Sequence, residues 1–196
     1  MKTEEKNNIC IESLVSQYKS IRESITYYED KSFEVAWKAL TLVAVLIGAA
    51  SSDFFGEYQT VFFFAVPMIA LLGHYQFAIF TRYSAVYQGY AAGLEEIINN
   101  KMGYDGFFWN RDYIDEFIGG THFLTNFLSW LAFTPTVILP GVYSFCRLFC
   151  NIPISIFVIY ILLYSAMEII ICRDCLINGR IRRKARAEFS RKREQK

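Results

Sequence analysis

Charged residues are spaced so that the chain keeps long apolar runs. Residues 58–81, 121–146 and 148–167 contain no Asp, Glu, Lys or Arg. Crossing a hydrocarbon core of about 30 Å takes about 20 helical residues at about 1.5 Å rise each, so each run is long enough to span. A fourth run, 39–52, is uncharged over only 14 residues. It reaches spanning length if Glu34 and Lys38, an i,i+4 pair, sit at the membrane edge and Lys38 snorkels beside Trp37.

Outside these runs the period is helical. Ile11, Leu14, Tyr18, Ile21, Ile25 and Tyr28 follow one another at steps of three and four, an a/d pattern with Glu12, Lys19, Arg22 and Glu23 on the other face. This predicts an amphipathic N-terminal helix, packed on its own chain or paired between subunits. After the second run Tyr83, Tyr87, Tyr90, Leu94 and Ile97 keep the same steps, and no Pro or Gly intervenes before Gly89. One continuous helix over about 60–101 is expected, extending about 30 Å past the membrane and stopping at Asn99, Asn100 and Gly103. Phe107, Phe108 and Trp109 follow as an interfacial belt or a hairpin tip, and Asn110 can cap a helix leading into the third run. The stripe on this cytosolic stalk needs a cover: the N-terminal helix, another subunit or a soluble partner. Tyr83, Tyr87, Tyr90, Leu94, Glu95, Glu96 and Trp109 are its candidate partner contacts.

Composition agrees with a membrane protein. Of 196 residues 54% are hydrophobic, 17% aromatic and 20% charged, with a formal net charge of +1. An average soluble domain is about half apolar and about a quarter charged, so disorder is excluded and bulk charge selects no partner. The placement of charge is more informative. Of the 20 Lys and Arg, five precede the first run, three separate the second and third, and ten follow the fourth. The first-to-second connection has none and the third-to-fourth has only Arg147. The positive-inside rule then puts both termini and the central segment in the cytosol. No cleavable signal peptide is expected, since the first 34 residues are polar and mixed in charge. The segments read as 1–33 amphipathic helix, 34–81 first two spans, 82–120 stalk, 121–172 last two spans and 173–196 basic tail.

Chemistry is sparse. No phosphate loop, HExxH or Gly-x-Ser-x-Gly occurs, and neither His74 nor His122 has a nucleophile placed beside it by the sequence. Cys172-x-x-Cys175 is half of a zinc or redox pattern; without a second pair or adjacent His it assigns no metal. No cofactor is expected, and the chain reads as non-enzymatic. Polar residues inside spans are costly in lipid and face a bundle interior or a water path. Lys38, His74, Gln76, Asn126 and Glu168 fall in one layer of the cytosolic third of the bilayer, lining a gate or fixing the bundle by hydrogen bonds. Pro67, Pro135 and Pro140 are expected to kink or interrupt their helices. Arg180, Arg182, Arg183, Lys184 and Arg186 open a tail with nine basic and two acidic residues. Such a cluster binds anionic lipid at about 1 kcal/mol per basic residue or simply fixes topology. No nucleic-acid reading motif accompanies it.

The four-span plan, with Tyr90, Leu94-Glu95-Glu96, Ile98-Asn99, Gly103 and Trp109 along the extended second helix, resembles the small four-span membrane proteins of bacterial anti-phage defence systems, such as the membrane subunit of the Kiwa system. The resemblance implies a homo-oligomer of the bacterial inner membrane that senses membrane disturbance or permeabilises the bilayer with a cytosolic partner. The expectation is an all-α integral membrane protein, four spans with N-in/C-in topology, serving as sensor or scaffold. A channel or pore-forming effector is the alternative.

Overall fold

The computed structural model describes residues 2–52, 56, 58–104, 106, 107, 139 and 141–194, without side chains for 2–10, 175, 176 and 192–194. Every regular element among the described residues is helical. In chain order these are α1 (Lys2–Ala50), α2 (Gln59–Met102), α3 (141–149), α4 (Ile154–Leu176) and α5 (Asn178–Glu194). Three of them, α1, α2 and α4, are long and apolar enough to cross a membrane. The expected 121–146 run lies outside the described residues except for its end in α3.

The chain divides into two compact units. One comprises Met1–Asp30, Thr81–Asn126 and Ile177–Lys196, and the other Lys31–Phe80 and Phe127–Leu176. Two helices contribute to both, because neither α1 nor α2 meets a stop signal where the composition changes. α1 contains no Pro, and its first Gly is Gly48. α2 contains one Pro, Pro67, and stays helical through it. Pro67 has no N–H for the carbonyl four residues back, and its ring crowds that turn. The Tyr160 hydroxyl of α4 donates to the neighbouring Phe64 carbonyl at 2.6 Å, and the two rings stack at 4.1 Å. The Tyr160 hydroxyl thus lies one residue past the Phe63 carbonyl that Pro67 leaves without its helical donor.

In the apolar unit, Val43 of α1 packs with Val66 and Ala70 of α2. Ala50, Phe63, Leu148 and Tyr160 form a second cluster, and Leu71, Ala78, Tyr164 and Ile171 a third. A Cβ on Gly73 would collide with that of Ala39, so only glycine permits this crossing of α1 and α2. Large apolar side chains also stay uncovered, including Leu42, Val45, Val61, Leu72, Leu162, Leu163 and Ile169. A patch of this extent is unfavourable in water and suits lipid.

Among the described residues the polar unit packs three helices around its own core. Leu14 of α1 meets Leu94 and Ile98 of α2, with Tyr18, Ile21, Phe107 and Phe189 of α5 closing around them. The N-terminal stripe is therefore buried against its own chain. Asn99 ends α2: its Oδ1 accepts the Gly106 and Phe107 N–H groups at 3.1 and 2.8 Å, and its carbonyl accepts the Gly103 N–H at 2.9 Å. Gly103 turns the chain at φ 73°, the left-handed conformation glycine adopts without steric cost.

The basic tail is a third helix of this unit. Gly89 and Gly93, one turn apart on α2, let α5 approach closely. A Cβ on Gly89 would collide with the Arg182 carbonyl oxygen and lie 2.8 Å from Ala185 Cβ, and one on Gly93 would lie 3.0 Å from the Phe189 ring. Overpacking of this kind costs about 1–3 kcal/mol. Gly89→Leu is therefore expected to undock α5, seen as faster tryptic cleavage within 180–191 and a lower thermal midpoint. Gly48→Ala, whose added methyl meets nothing within 4 Å, should leave both unchanged or slightly improved.

Candidate functional site

The polar residues expected to share one layer separate in the structure. Lys38 is three-quarters exposed and pairs with Glu34, which also holds Lys31. Gln76 is exposed, and Asn126 lies outside the described residues. Neither Lys38 nor Gln76 faces the interior, because each sits on the side of its helix away from the buried positions. His74 and Glu168 do meet. His74 is only 3% exposed, and its Nδ1 stands 2.7 Å from Glu168 Oε2. At that distance the two side chains are hydrogen-bonded, the donor being set by the tautomer of the ring.

The helical repeat explains what surrounds this pair. Tyr164, Glu168 and Cys172 are four residues apart on α4 and so share one face. His74 stands between the buried Leu71 and Ala78 of α2, which pack with Tyr164 and Ile171. His74, Glu168 and Cys172 bring one nitrogen, oxygen or sulfur ligand atom each to within 4.8 Å of one another. The other Glu168 oxygen, Oε1, and the Tyr164 hydroxyl are buried beside the pair. Sequence reasoning paired Cys172 with Cys175 and so missed its place beside His74. The i,i+4 spacing from Glu168 was the available signal.

The expected partner face of the stalk is largely internal. Leu94 and Glu95 are fully buried, and Tyr18 Oη donates to Glu95 Oε1 at 2.7 Å. Tyr28 of α1 stacks on Tyr83 and Tyr87 at 5.2 and 5.4 Å. Partial burial among these rings, and then the adjacent Tyr87 hydroxyl, hold the Tyr28 phenol above its ordinary value. Tyr90 packs on Phe189, and Glu96 receives the Arg186 guanidinium at 3.3 Å. Leu94 and Glu95 thus cannot serve as partner contacts while α1 and α5 are docked. Tyr83, half exposed, keeps an accessible edge. Trp109 lies outside the described residues.

The tail residues also divide. Arg182 is buried at 5% exposure under the glycine crossing, and Arg186 is taken by Glu96. Arg180, Arg183 and Lys184 remain exposed. An amphipathic α5 has to spend one face on packing, so of the five residues expected to bind anionic lipid three stay exposed.

No family model, curated protein or solved structure matches this chain.

The His74–Glu168 contact is tested by His74→Ala. Removing the ring leaves Glu168 without its partner and should cost about 1–3 kcal/mol, read as a fall in the thermal midpoint of the purified protein. Lys38→Ala, at an exposed pair, should give no measurable change.

Proposed function

We propose that the chain is a non-enzymatic, oligomeric membrane protein that couples the state of the bilayer to a cytosolic helical unit, acting as a sensor or scaffold for a soluble partner. The observation that carries this reading is the continuity of α2. One 44-residue helix supplies Phe63, Val66 and Leu71 to the apolar core and Gly89, Leu94 and Ile98 to the polar one. A shift of α2 in the bilayer is then transmitted along a hydrogen-bonded backbone. Four spans and cytosolic termini belong to the proposal and rest on the apolar runs and the alternation of basic residues, and an inner-membrane location rests on the sequence resemblance. A setting in anti-phage defence rests on the sequence resemblance. The exposed Tyr27, Tyr83 and Tyr104, with Arg180, Arg183 and Lys184, are the surface left for a partner or for anionic headgroups.

A second reading has its own support. The His74–Glu168 pair, with His74 buried and Glu168 half-buried, is the kind of titratable contact that, inside a bilayer, lines proton or ion paths. Flux through vesicles separates the two. The scaffold reading predicts no ion leak from protein-containing liposomes above that of empty ones. A leak altered by Glu168→Gln would replace it with the channel. Cys146 and Cys150, both free and exposed, should react with a membrane-impermeant maleimide added from outside the cell, while reaction only after permeabilisation would reverse the topology.

A further inference from the structure

We infer that His74, Glu168 and Cys172 form a binding site for one zinc-class divalent cation within the apolar unit. Their ligand atoms lie within 4.8 Å of one another. In a tetrahedral zinc site with bonds of about 2.0–2.3 Å, ligand atoms stand about 3.3–3.8 Å apart. The most distant pair therefore closes by about 1.5 Å at most, and the 2.7 Å His74–Glu168 contact opens by about 0.6–0.9 Å. Both shifts are within side-chain rotation. Glu168 and Cys172 are one helical turn apart on α4 and His74 comes from α2, so an ion here joins two helices.

The donor set selects the metal. Imidazole nitrogen, thiolate sulfur and carboxylate oxygen together suit zinc, whereas calcium and magnesium take oxygen ligands. Charge favours the same assignment. An isolated carboxylate is costly in a low-dielectric region, but a divalent ion held by one thiolate and one carboxylate leaves the site neutral. Two further polar atoms are buried beside the pair, Glu168 Oε1 and the Tyr164 hydroxyl one turn away. The first lets the carboxylate reach the ion through either oxygen. Leu71, Ala78 and Ile171 pack beside the site, while Glu168 and Cys172 stay half-buried and within reach of an ion. Binding is balanced by proton release. The Cys172 thiol gives its proton to water as the sulfur–metal bond forms, and the liganding imidazole nitrogen presents its lone pair, its proton passing to the other ring nitrogen or to water.

The full chain in lipid nanodiscs, incubated with zinc chloride, desalted and assayed for metal, tests the site without reference to flux or partner binding. About one zinc per chain is expected, falling on the order of 10-fold or more in Cys172→Ser and His74→Ala and retained when Cys146 and Cys150 are both serine. Equal zinc in the Cys172→Ser protein, or none retained by the wild type, overturns the assignment. Should those variants not fold, alkylation decides. In a chain whose Cys10, Cys146, Cys150 and Cys175 are serine, zinc should slow maleimide labelling of Cys172 on the order of 10-fold while magnesium leaves it unchanged. A rate indifferent to zinc refutes the site.

Discussion

The backbone of α2 has to satisfy its own hydrogen bonds from Gln59 to Met102, first where the surroundings are apolar and then where they are polar. Only a helix does this without help from water, and the other elements are arranged around that demand. In the apolar unit α1, α3 and α4 pack on positions of α2 between Phe63 and Ala78. In the polar unit α1 and α5 pack on positions between Gly89 and Ile98. The helix changes its small residues to suit each task. Gly73 admits the α1 backbone, and Gly89 and Gly93 admit α5. Where α2 breaks its own ladder, at Pro67, a hydroxyl from α4 reaches the adjacent turn.

Polar groups inside these packings are held by specific partners. Glu95, with no exposed surface, takes the Tyr18 hydroxyl. Glu29 takes the Ser84 hydroxyl and the Gln88 amide. His74 takes Glu168. Two of these contacts tie α2 to α1 and one ties it to α4, so removing a partner leaves Glu95, Ser84 or His74, all buried, without that compensation for desolvation. Such contacts fix register as well as stability, because a helix shifted by one residue moves its polar groups into apolar neighbours.

Much of this was legible in the sequence. Helical spacing placed Leu14, Tyr18 and Ile25 on one face, and the lack of Pro or Gly between the second run and Gly89 foretold that α2 continues past it, although Pro67 was expected to kink or interrupt it. The pairing of Glu34 with Lys38 followed from i,i+4 geometry. What could not be read was which of several amphipathic faces would meet. The stalk stripe had three possible covers, and the structure supplies α1 and α5 from the same chain. The tail hid its packing role because its charges dominate its composition, while Ala185 and Phe189, which meet the glycines, are only two residues among many basic ones. The polar layer was drawn by depth alone. Depth placed Lys38, Gln76 and His74 together, but helix rotation turns only His74 toward α4, and the same rotation brings Cys172 into its reach.

Hydrogen exchange of the full chain in nanodiscs probes the continuity of α2 most directly, because it reads each backbone hydrogen bond. The informative amides lie from Phe80 to Gly89, where α2 passes from the residues of one unit to those of the other. An unbroken helix predicts slow exchange through this stretch, continuous with the protection of Val66 before it and Leu94 after it. A rapidly exchanging window there would mean two separate helices, and would contradict the account.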